Sequence, residues 1–359
     1  LARVCAAFEP SELIVMDRAE NALFEIDRQL RERYPHVTVR AALHDVADAE
    51  GTREIISQTK PHVVFHAAAH KHVPLMEEHP WHAVTNNVFG TKAIADAAAE
   101  FGVERFVLIS SDKAVNPSSV MGATKRLAEL YTQSLHSQLR DERLITPSDR
   151  EPTSFSMVRF GNVLGSACSV LPIWSAQLAD GGPITVTDER MTRYFMTIAE
   201  AASLVVQAAA IAPIGIDADA AGVFVLDMGE PVNIMQLAER FVRAHGLEPI
   251  RDRDGRELPI GCAEIVSTGA RPGEKLHEEL AYAAENLKPT SHAGIFGWRF
   301  ATNEAVHASD AMIESLTSLG PRAERTQVLA ELRRWIPTLP ESRTTTENPD
   351  AATPVRLAG

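Results

Sequence analysis

Glycine is absent from the first fifty residues of this chain. The whole chain has only three cysteines, no long apolar run and fewer basic than acidic residues. The three cysteines, Cys5, Cys168 and Cys262, are far apart and odd in number. They argue against a disulfide framework and a zinc site, and they fit a reducing cytosol. No run of about 18 apolar residues occurs, so we expect no membrane span within these residues.

The charge balance limits the classes of partner. The formal net charge of −13 argues against non-specific nucleic-acid binding, which needs a basic face. A local basic cluster could still bind an anionic small molecule. With 359 residues, 45% of them apolar, the chain is long enough to bury a core in one or two domains.

One stretch, from Phe106 to Lys125, organises the chain. The four apolar residues Phe106 to Ile109 predict a strand that is buried on both faces, as in a parallel sheet. Groups able to handle protons follow at once: Ser110, Ser111, Asp112 and Lys113. A helical pattern begins near Val120, so Lys125 should lie in its first turns. Ligands of open α/β sheets bind outside the carboxyl ends of the strands, where these side chains should converge.

Each of these charges also has an ordinary interpretation. Asp112 and Lys113 could be solvated charges at a strand end, and Lys125 a solvated helix residue, because most surface charges have no specific role. Their convergence at the carboxyl edge of a parallel sheet favours a catalytic or binding role instead.

The segment Ser111-Asp112-Lys113-Ala114, followed by Lys125, resembles the active site of the extended short-chain dehydrogenase/reductases. More narrowly it resembles the nucleotide-sugar 4,6-dehydratases and the CapD type of polysaccharide biosynthesis protein. Those enzymes usually pair a tyrosine with the later lysine. Met121 stands at the tyrosine position, as in a known subgroup, and its thioether cannot exchange a proton.

The start of the chain departs from the pattern. Leu1 to Phe8 is already helical in character, and Ser11 to Asp17 predicts a strand, yet no glycine precedes Gly51. Either the fold does not bind a dinucleotide, or the chain begins inside the first helix of such a fold; we favour the second. The resemblance implies a glycine-rich turn immediately upstream, and a membrane region before it in many members. We therefore expect a cytoplasmic protein or the cytosolic domain of a membrane-anchored one.

The predicted cofactor is NAD. A carboxylate at the position of Asp17, after the second Rossmann strand, can bind the adenosine ribose and repels a 2′-phosphate, although it could also cap the next helix. The resemblance implies that Asp45 and Val46 flank the adenine, with a plain helix cap as the alternative for Asp45. It further implies these cofactor-side residues: Ala67, Ala68, Asn87 and Lys125, with Asn87 holding a strand and a water near the site.

A histidine-rich segment raises the question of a metal. His66, His70 and His72 span the turn that follows the predicted strand. No carboxylate or cysteine joins them at ligand spacing, so we predict no metal site. The resemblance instead places Lys71 and His72 near the substrate.

Three later segments supply further substrate candidates. Asn162 lies in an Arg-x-Gly-Asn-Val-x-Gly segment and Arg271 in Arg-Pro-Gly-Glu-Lys, both of which match the family. The resemblance implies that Asn162, Arg271 and Glu274 contact a sugar nucleotide. Arg193 is a candidate for the diphosphate, because guanidinium pairs phosphate oxygens bidentately; the alternative is a surface arginine paired with an acidic neighbour.

The predicted fold is a Rossmann-like α/β structure, a doubly wound parallel sheet whose first strand and glycine-rich loop are missing. We expect an NAD-binding domain over residues 1–165. A smaller α/β substrate domain over 166–339 should return in part to the Rossmann core, and 340–359 should be a disordered tail. Residues 140–153 should form a loop. The resemblance implies a homo-oligomer.

The predicted activity is dehydration of UDP-N-acetylglucosamine to a 4-keto-6-deoxy sugar for polysaccharide or glycan biosynthesis. By resemblance, Lys113 removes the C5 proton, Asp112 protonates the departing O6 and Ser111 bonds O4, while Asp112 or a water serves as the O4 base. A neutral Lys113 requires a lowered pKa. The alternatives are a nucleotide-sugar epimerase, which needs no Asp-Lys pair, and a non-catalytic NAD-fold regulator, which the missing tyrosine and glycine loop would suit.

Overall fold

Strands and helices alternate along the first half of the chain, as in the predicted Rossmann-like fold. A computed structural model describes residues 1–145, 151–166, 168–211, 222–251, 257–282, 285–299 and 309–341. Up to residue 165 its elements are α1 (Ala2–Ala7), β1 (Glu12–Asp17), α2 (Glu20–Arg33), β2 (Thr38–Leu43), α3 (Ala49–Thr59), β3 (Val63–His66), α4 (Val73–Glu78), α5 (Pro80–Ala83), a π-helix (Val84–Phe89), α6 (Gly90–Phe101), β4 (Arg105–Ile109), a 3₁₀ turn (Asp112–Ala114), α7 (Val120–Ile145), β5 (Ser154–Arg159) and β6 (Asn162–Leu164).

The second half has shorter strands. Its elements are α8 (Val170–Ala179), β7 (Ile184–Val186), β8 (Thr192–Arg193), β9 (Phe195–Thr197), α9 (Ile198–Ala210), β10 (Gly222–Leu226), β11 (Val232–Asn233), α10 (Ile234–Ala244), β12 (Glu248–Ile250), β13 (Cys262–Ser267), β14 (Lys288–Pro289), β15 (Ile295–Arg299), α11 (Ser309–Leu319) and α12 (Arg325–Trp335). No helix in the described part of the chain combines the length and the apolar character that a bilayer crossing needs.

The main sheet has six strands in the order β14-β15-β10-β5-β4-β3. β3, β4, β5 and β10 are parallel, while β14 and β15 add antiparallel pairs at one side. β1 and β2 pair in parallel as a separate two-stranded sheet, and no described strand joins β1 to β3. The α/β fold with a parallel sheet is thus confirmed, and its sheet is in two parts.

The centre of the sheet is buried on both faces, as the apolar run of β4 predicts. Phe106 and Leu108 pack in one cluster with Leu127 of α7, whereas Val107 packs in another with Val205 of α9. All three β4 side chains are fully buried. Burying each one contributes about 1.5–3 kcal/mol to folding.

Helix α7 begins where the sequence predicts and ends later. Its first free backbone amide, Val120 N–H, donates to Glu77 Oε1 at 2.7 Å, so α4 caps the helix from outside. The helix continues to Ile145, and the predicted loop over residues 140–153 is wrong for 140–145, which are rich in good helix formers. Residues 146–150 of that loop lie outside the described residues.

Strands beyond residue 165 build two small sheets, pair with β6 in a third and also contribute to the main sheet. β12, β13 and β7 form a three-stranded parallel sheet, and the pairs β11-β8 and β6-β9 are separate. β10 and β15 belong to the six-stranded sheet. The division at residue 165 stays a prediction. The tail was predicted for residues 340–359, of which 342–359 lie outside the described residues.

Candidate active site

The carboxyl ends of the parallel strands open into a cavity of about 560 Å³. The segments that follow β3 and β4 line one part of it, and α7 contributes Met121 and Lys125. The second half of the chain supplies much of the remainder, including Asn162, Arg193 and Arg271. The volume lies in the range typical of small-molecule sites.

The turn after β4 holds three polar side chains in one hydrogen-bonded array. Ser111 Oγ accepts a hydrogen bond from Lys113 N–H at 3.2 Å and donates to Asp112 Oδ1 at 2.8 Å. Lys113 Nζ donates to the same Oδ1 at 3.0 Å. Asp112 is fully buried, and its second oxygen, Oδ2, has no hydrogen-bond partner among the described residues. Oδ2 is therefore a buried acceptor without a partner, next to Ser111 and Lys113, which line the cavity.

Lys113 is surrounded by more negative charge than the sequence indicated. Its Nζ lies 3.0 Å from Asp112, 3.5 Å from Glu278 Oε1 and 3.4 Å from Asn162 Oδ1. Burial lowers the pKa of Lys113, but the two carboxylates outweigh it and the nearby Arg193, so the pKa lies above the ordinary lysine value. A neutral Lys113 requires a lowered pKa, and the surroundings of Lys113 raise it instead.

Helix α7 faces this turn at very close range. A Cβ on Gly122 would lie 2.2 Å from the carbonyl oxygen of Lys113, so only glycine allows the approach. On either side of it, Met121 and Lys125 are both buried and line the cavity. Lys125 Nζ donates to Ile109 O at 2.5 Å. Burial, opposed by Glu129, lowers the pKa of Lys125 to about 8.

The two carboxylates predicted to contact the cofactor lie at the last residue of β1 and just after the end of β2. Asp17 Oδ1 accepts from Ala19 N–H at 2.8 Å; Ala19 itself occupies the cap position of α2, so Asp17 shapes the turn before the helix. Asp45 accepts from Ala47 N–H at 3.0 Å and from Arg18 at 3.2 Å. Burial acts to raise the pKa of Asp45, but these two donors lower it overall.

The alternative of a plain helix cap does not describe Asp45. Asp48 caps α3, accepting from Gly51 N–H at 3.2 Å. Arg18, which the sequence reasoning missed, also contacts His70 Nε2 at 3.0 Å and so links β1 to the segment after β3. Val46 is buried.

Asn87, in the π-helix, fixes the segment that follows β3. Its Oδ1 accepts from His70 N–H at 2.8 Å, and its Nδ2 donates to His70 O and to Thr124 Oγ1, both at 3.1 Å. Ala67 lines the cavity, whereas Ala68 O accepts from Asn86 at 3.4 Å. Asn87 thus positions backbone between α7 and the cavity, in line with the structural role implied by the resemblance.

The histidines of the segment after β3 lie in different surroundings. His66 is buried against Thr91 Oγ1 at 3.0 Å, and burial together with Lys125 lowers the pKa of His66 to about 3. Among the described residues, no group of three or more His, Cys, Asp or Glu side chains could hold a metal ion.

The structure brings the proposed substrate residues together around the cavity: Lys71, His72, Asn162, Arg193, Arg271 and Glu274. Arg271 is exposed at the rim and donates to Glu274 Oε1 at 2.8 Å. Arg193 is buried, and its guanidinium donates to backbone carbonyls of Thr192, Lys275 and Leu276. These contacts favour a bracing role for Arg193, and its assignment to a diphosphate stays a prediction.

A buried ionic network underlies the site and was missed from the sequence. The Arg159 side chain is fully buried and donates twice to Glu129, both bonds at 2.7 Å, and twice to Glu285, at 2.8 and 2.9 Å. Ser110 Oγ donates to Glu129 at 2.6 Å. The network therefore ties the end of β4, α7 and β5 to the segment before β14.

Comparison with known proteins places the chain in a family. A sequence profile described as "Polysaccharide biosynthesis protein" matches residues 1–299. The probable polysaccharide biosynthesis protein EpsC of Bacillus subtilis is 45% identical over 299 residues, which cover 82% of this chain and 45% of EpsC. The chain thus spans about half the length of that relative.

Two more similarities bear on the site. An inverting UDP-N-acetylglucosamine 4,6-dehydratase of Campylobacter jejuni is 31% identical over 199 residues, 55% of each chain. The X-ray structure of Pen from Bacillus thuringiensis superimposes with a TM-score of 0.67 at 28% identity, covering 83% of this chain and 84% of Pen. With its fold, its Asp-Lys turn and these matches, the chain belongs to the polysaccharide biosynthesis protein family.

Proposed function

We propose that the chain is the catalytic part of an NAD-dependent nucleotide-sugar 4,6-dehydratase that acts on UDP-N-acetylglucosamine in polysaccharide or glycan biosynthesis. The observation that carries the proposal is the turn Ser111–Lys113, which meets Met121 and Lys125 at one cavity. The similarity to the Campylobacter jejuni dehydratase supports the choice of substrate.

The residues on the cofactor side fit NAD. The Asp17 carboxylate is exposed at the end of β1, where it can accept bonds from ribose hydroxyls. Ala67 leaves the backbone accessible at the cavity, and Lys125 presents an ammonium group there. No glycine occurs in residues 1–50, so that stretch provides no glycine-rich turn for the pyrophosphate. NAD⁺ held by these residues would supply hydride transfer from sugar C4 to C6.

Asp112 suits two proton transfers in sequence. Its unpartnered Oδ2 can accept the O4 proton while C4 is oxidised, which Met121 cannot do. The same proton can then pass to O6 as the C6–O6 bond breaks and water leaves. Burial and the Ser111 hydrogen bond hold the carboxylate in one orientation through both steps.

Lys113 suits the proton at C5, which becomes acidic once C4 is a ketone. Because its surroundings raise the pKa of Lys113, only the minor neutral fraction of the amine accepts that proton during elimination. The resulting ammonium group, which exchanges with solvent, delivers a proton to C5 when C6 receives the hydride. The sugar loses one water in total and both residues regain their starting protonation. Lys71, His72, Asn162, Arg271 and Glu274 would hold the sugar nucleotide at the far part of the cavity.

The test follows the sugar by proton NMR in heavy water, with UDP-N-acetylglucosamine, NAD⁺ and either this chain or the protein at its full encoded length. We expect a new C6 methyl signal with deuterium at C5. Lys113→Met should abolish both, whereas Lys92→Met, which alters a partly exposed lysine paired with Asp96, should not.

The other outcomes identify the alternatives. An inverted C4 without a methyl signal would indicate an epimerase and refute the dehydratase. Sugar binding without any change in the sugar at either length would favour a non-catalytic regulator.

A further inference from the structure

Glu278 approaches Lys113 from the segment after Glu274 and takes no part in the proposed reaction steps. We propose that Glu278 is a positioning residue that, with Asp112, holds Lys113 between two carboxylates and sets the pH at which its amine becomes neutral. The catalytic meaning of this role rests on the proposed dehydratase function.

Glu278 is buried, with a side chain only 3% exposed. Its Oε1 lies 3.5 Å from Lys113 Nζ and 3.9 Å from Arg193 Nε. Its Oε2 is buried and has no hydrogen-bond partner among the described residues. Glu278 borders a second cavity of about 180 Å³, and Lys113 lines both this cavity and the larger one. Because the two side chains are only 20% and 3% exposed, solvent screens the charge of Glu278 from Lys113 less than it would at the surface.

The segment that carries Glu278 is fixed to the site. Arg193 donates to Lys275 O at 2.8 Å and to Leu276 O at 3.1 Å. Lys275 Nζ donates to Val115 O at 2.8 Å, just after the 3₁₀ turn. The backbone before Glu278 is thus held from two sides, which accounts for a defined position of its carboxylate beside Lys113.

The charges around the pair fix the sign of the effect. Asp112 and Glu278 face Lys113 and favour its charged form, whereas Arg193 opposes it. Lys113, Arg193 and Lys275 face Glu278 and keep it ionised. In Glu278→Gln, Lys113 retains Asp112 and Arg193 but loses one carboxylate. The neutral amine should then form at a pH lower by about one unit, a tenfold change in the proton concentration required.

The first measurement reads Lys113 directly and needs no turnover. Trace acetylation with acetic anhydride from neutral to alkaline pH, followed by peptide mass spectrometry, gives the midpoint at which Lys113 becomes reactive. We expect Glu278→Gln to lower this midpoint by about one unit. The matched control is Glu279→Gln, whose carboxylate is 31% exposed and contacts Asn116 and Lys275 instead; it should leave the midpoint unchanged.

The second measurement is the pH profile of kcat for C5 deuteration. The acid-side limb should move in the same direction and by a similar amount in Glu278→Gln. An unchanged or raised Lys113 midpoint overturns the proposal, and so does a shift of equal size in Glu279→Gln.

Two further results separate folding and function from this role. If Glu278→Gln does not fold, Glu278→Asp decides, because its retracted charge should still lower the midpoint, by less; an unchanged midpoint then overturns the proposal. If the wild-type protein never forms the methyl product, the dehydratase function fails while the labelling result still decides the role of Glu278.

Discussion

Replacing Arg159 with methionine should be among the most damaging single changes to the stability of this protein. The guanidinium is fully buried and donates four hydrogen bonds to Glu129 and Glu285. Methionine fills much of the same volume but leaves both carboxylates buried without that partner. Of its hydrogen-bond and ion-pair partners among the described residues, Glu129 would retain Arg126 and Ser110.

The magnitude follows from the protonation of Glu129. Burial raises the pKa of Glu129, but Arg159, Arg126 and Ser110 together lower it from 4.5 to about 2. A shift of this size corresponds to about 3 kcal/mol of the free energy of unfolding. Because the folded pKa is the lower one, this stability is complete above the unfolded pKa and is lost as pH falls towards about 2. Removing one partner of a buried ion pair costs about 3–5 kcal/mol at neutral pH.

Urea unfolding followed by circular dichroism tests this expectation at neutral pH and near pH 4. Wild type should lose stability between them. The variant should lose less, because protonation relieves its unpaired carboxylates, so the difference between the two proteins should shrink on acidification. The matched control is Arg53→Met, which breaks a bidentate pair with Glu100 on the exposed surface between α3 and α6 and should have a much smaller effect.

The reasoning is refuted if Arg159→Met lowers the free energy of unfolding no more than Arg53→Met does at neutral pH. It is also refuted if the cost is the same at both pH values, since the loss would then come from packing and not from the two carboxylates.

Two more substitutions test the close packing of the site and the pKa of its buried lysine. Gly122→Ala should lower kcat at least about tenfold, because the new methyl would meet the Lys113 carbonyl at 2.2 Å and displace the turn; a kcat within about twofold of wild type would contradict this. Lys125→Met should remove a pH-dependent part of stability. With the pKa of Lys125 lowered to about 8, the unfolded state binds its proton more tightly, so wild-type stability should rise from pH 8 towards 10.5. Urea unfolding at both ends of that window checks the slope, which an effect unrelated to Lys125 would leave intact in the variant.

Local sequence patterns predicted most of the fold. The continuous apolar run before Ser110 predicts β4, because a strand buried on both faces has apolar residues at every position. The spacing of Leu127, Tyr131 and Leu135 predicts α7, because a helix buried on one face has apolar residues at every third or fourth position. The end of α7 was missed because charged residues 140–145 look like a loop while being good helix formers.

The sequence points to candidate residues that follow one another in the chain or that lie in motif segments, such as Asn162 and Arg271, but not to contacts that form only in three dimensions. Ser111, Asp112, Lys113 and Lys125 lie within one strand–turn–helix unit. Glu278 reaches Lys113 from a distant segment, and the direction of the Lys113 pKa depends on it. The one sequence signal available was the acidic pair Glu278-Glu279, which follows the Arg-Pro-Gly-Glu-Lys-Leu segment after one intervening residue, His277.

The separation of β1–β2 from the six-stranded sheet affects how this chain should behave in concentrated solution. Among the described strands, β1 pairs only with β2, and β3 pairs only with β4. Each therefore presents a row of backbone amides and carbonyls that no neighbouring strand satisfies. β1 is apolar between its two terminal acids, Val63 on β3 is 39% exposed, and neither strand contains proline or lysine, the usual guards against edge-to-edge pairing. We expect copies of the chain to associate through these strand edges. A parallel strand added between them would complete the sheet and reduce this association.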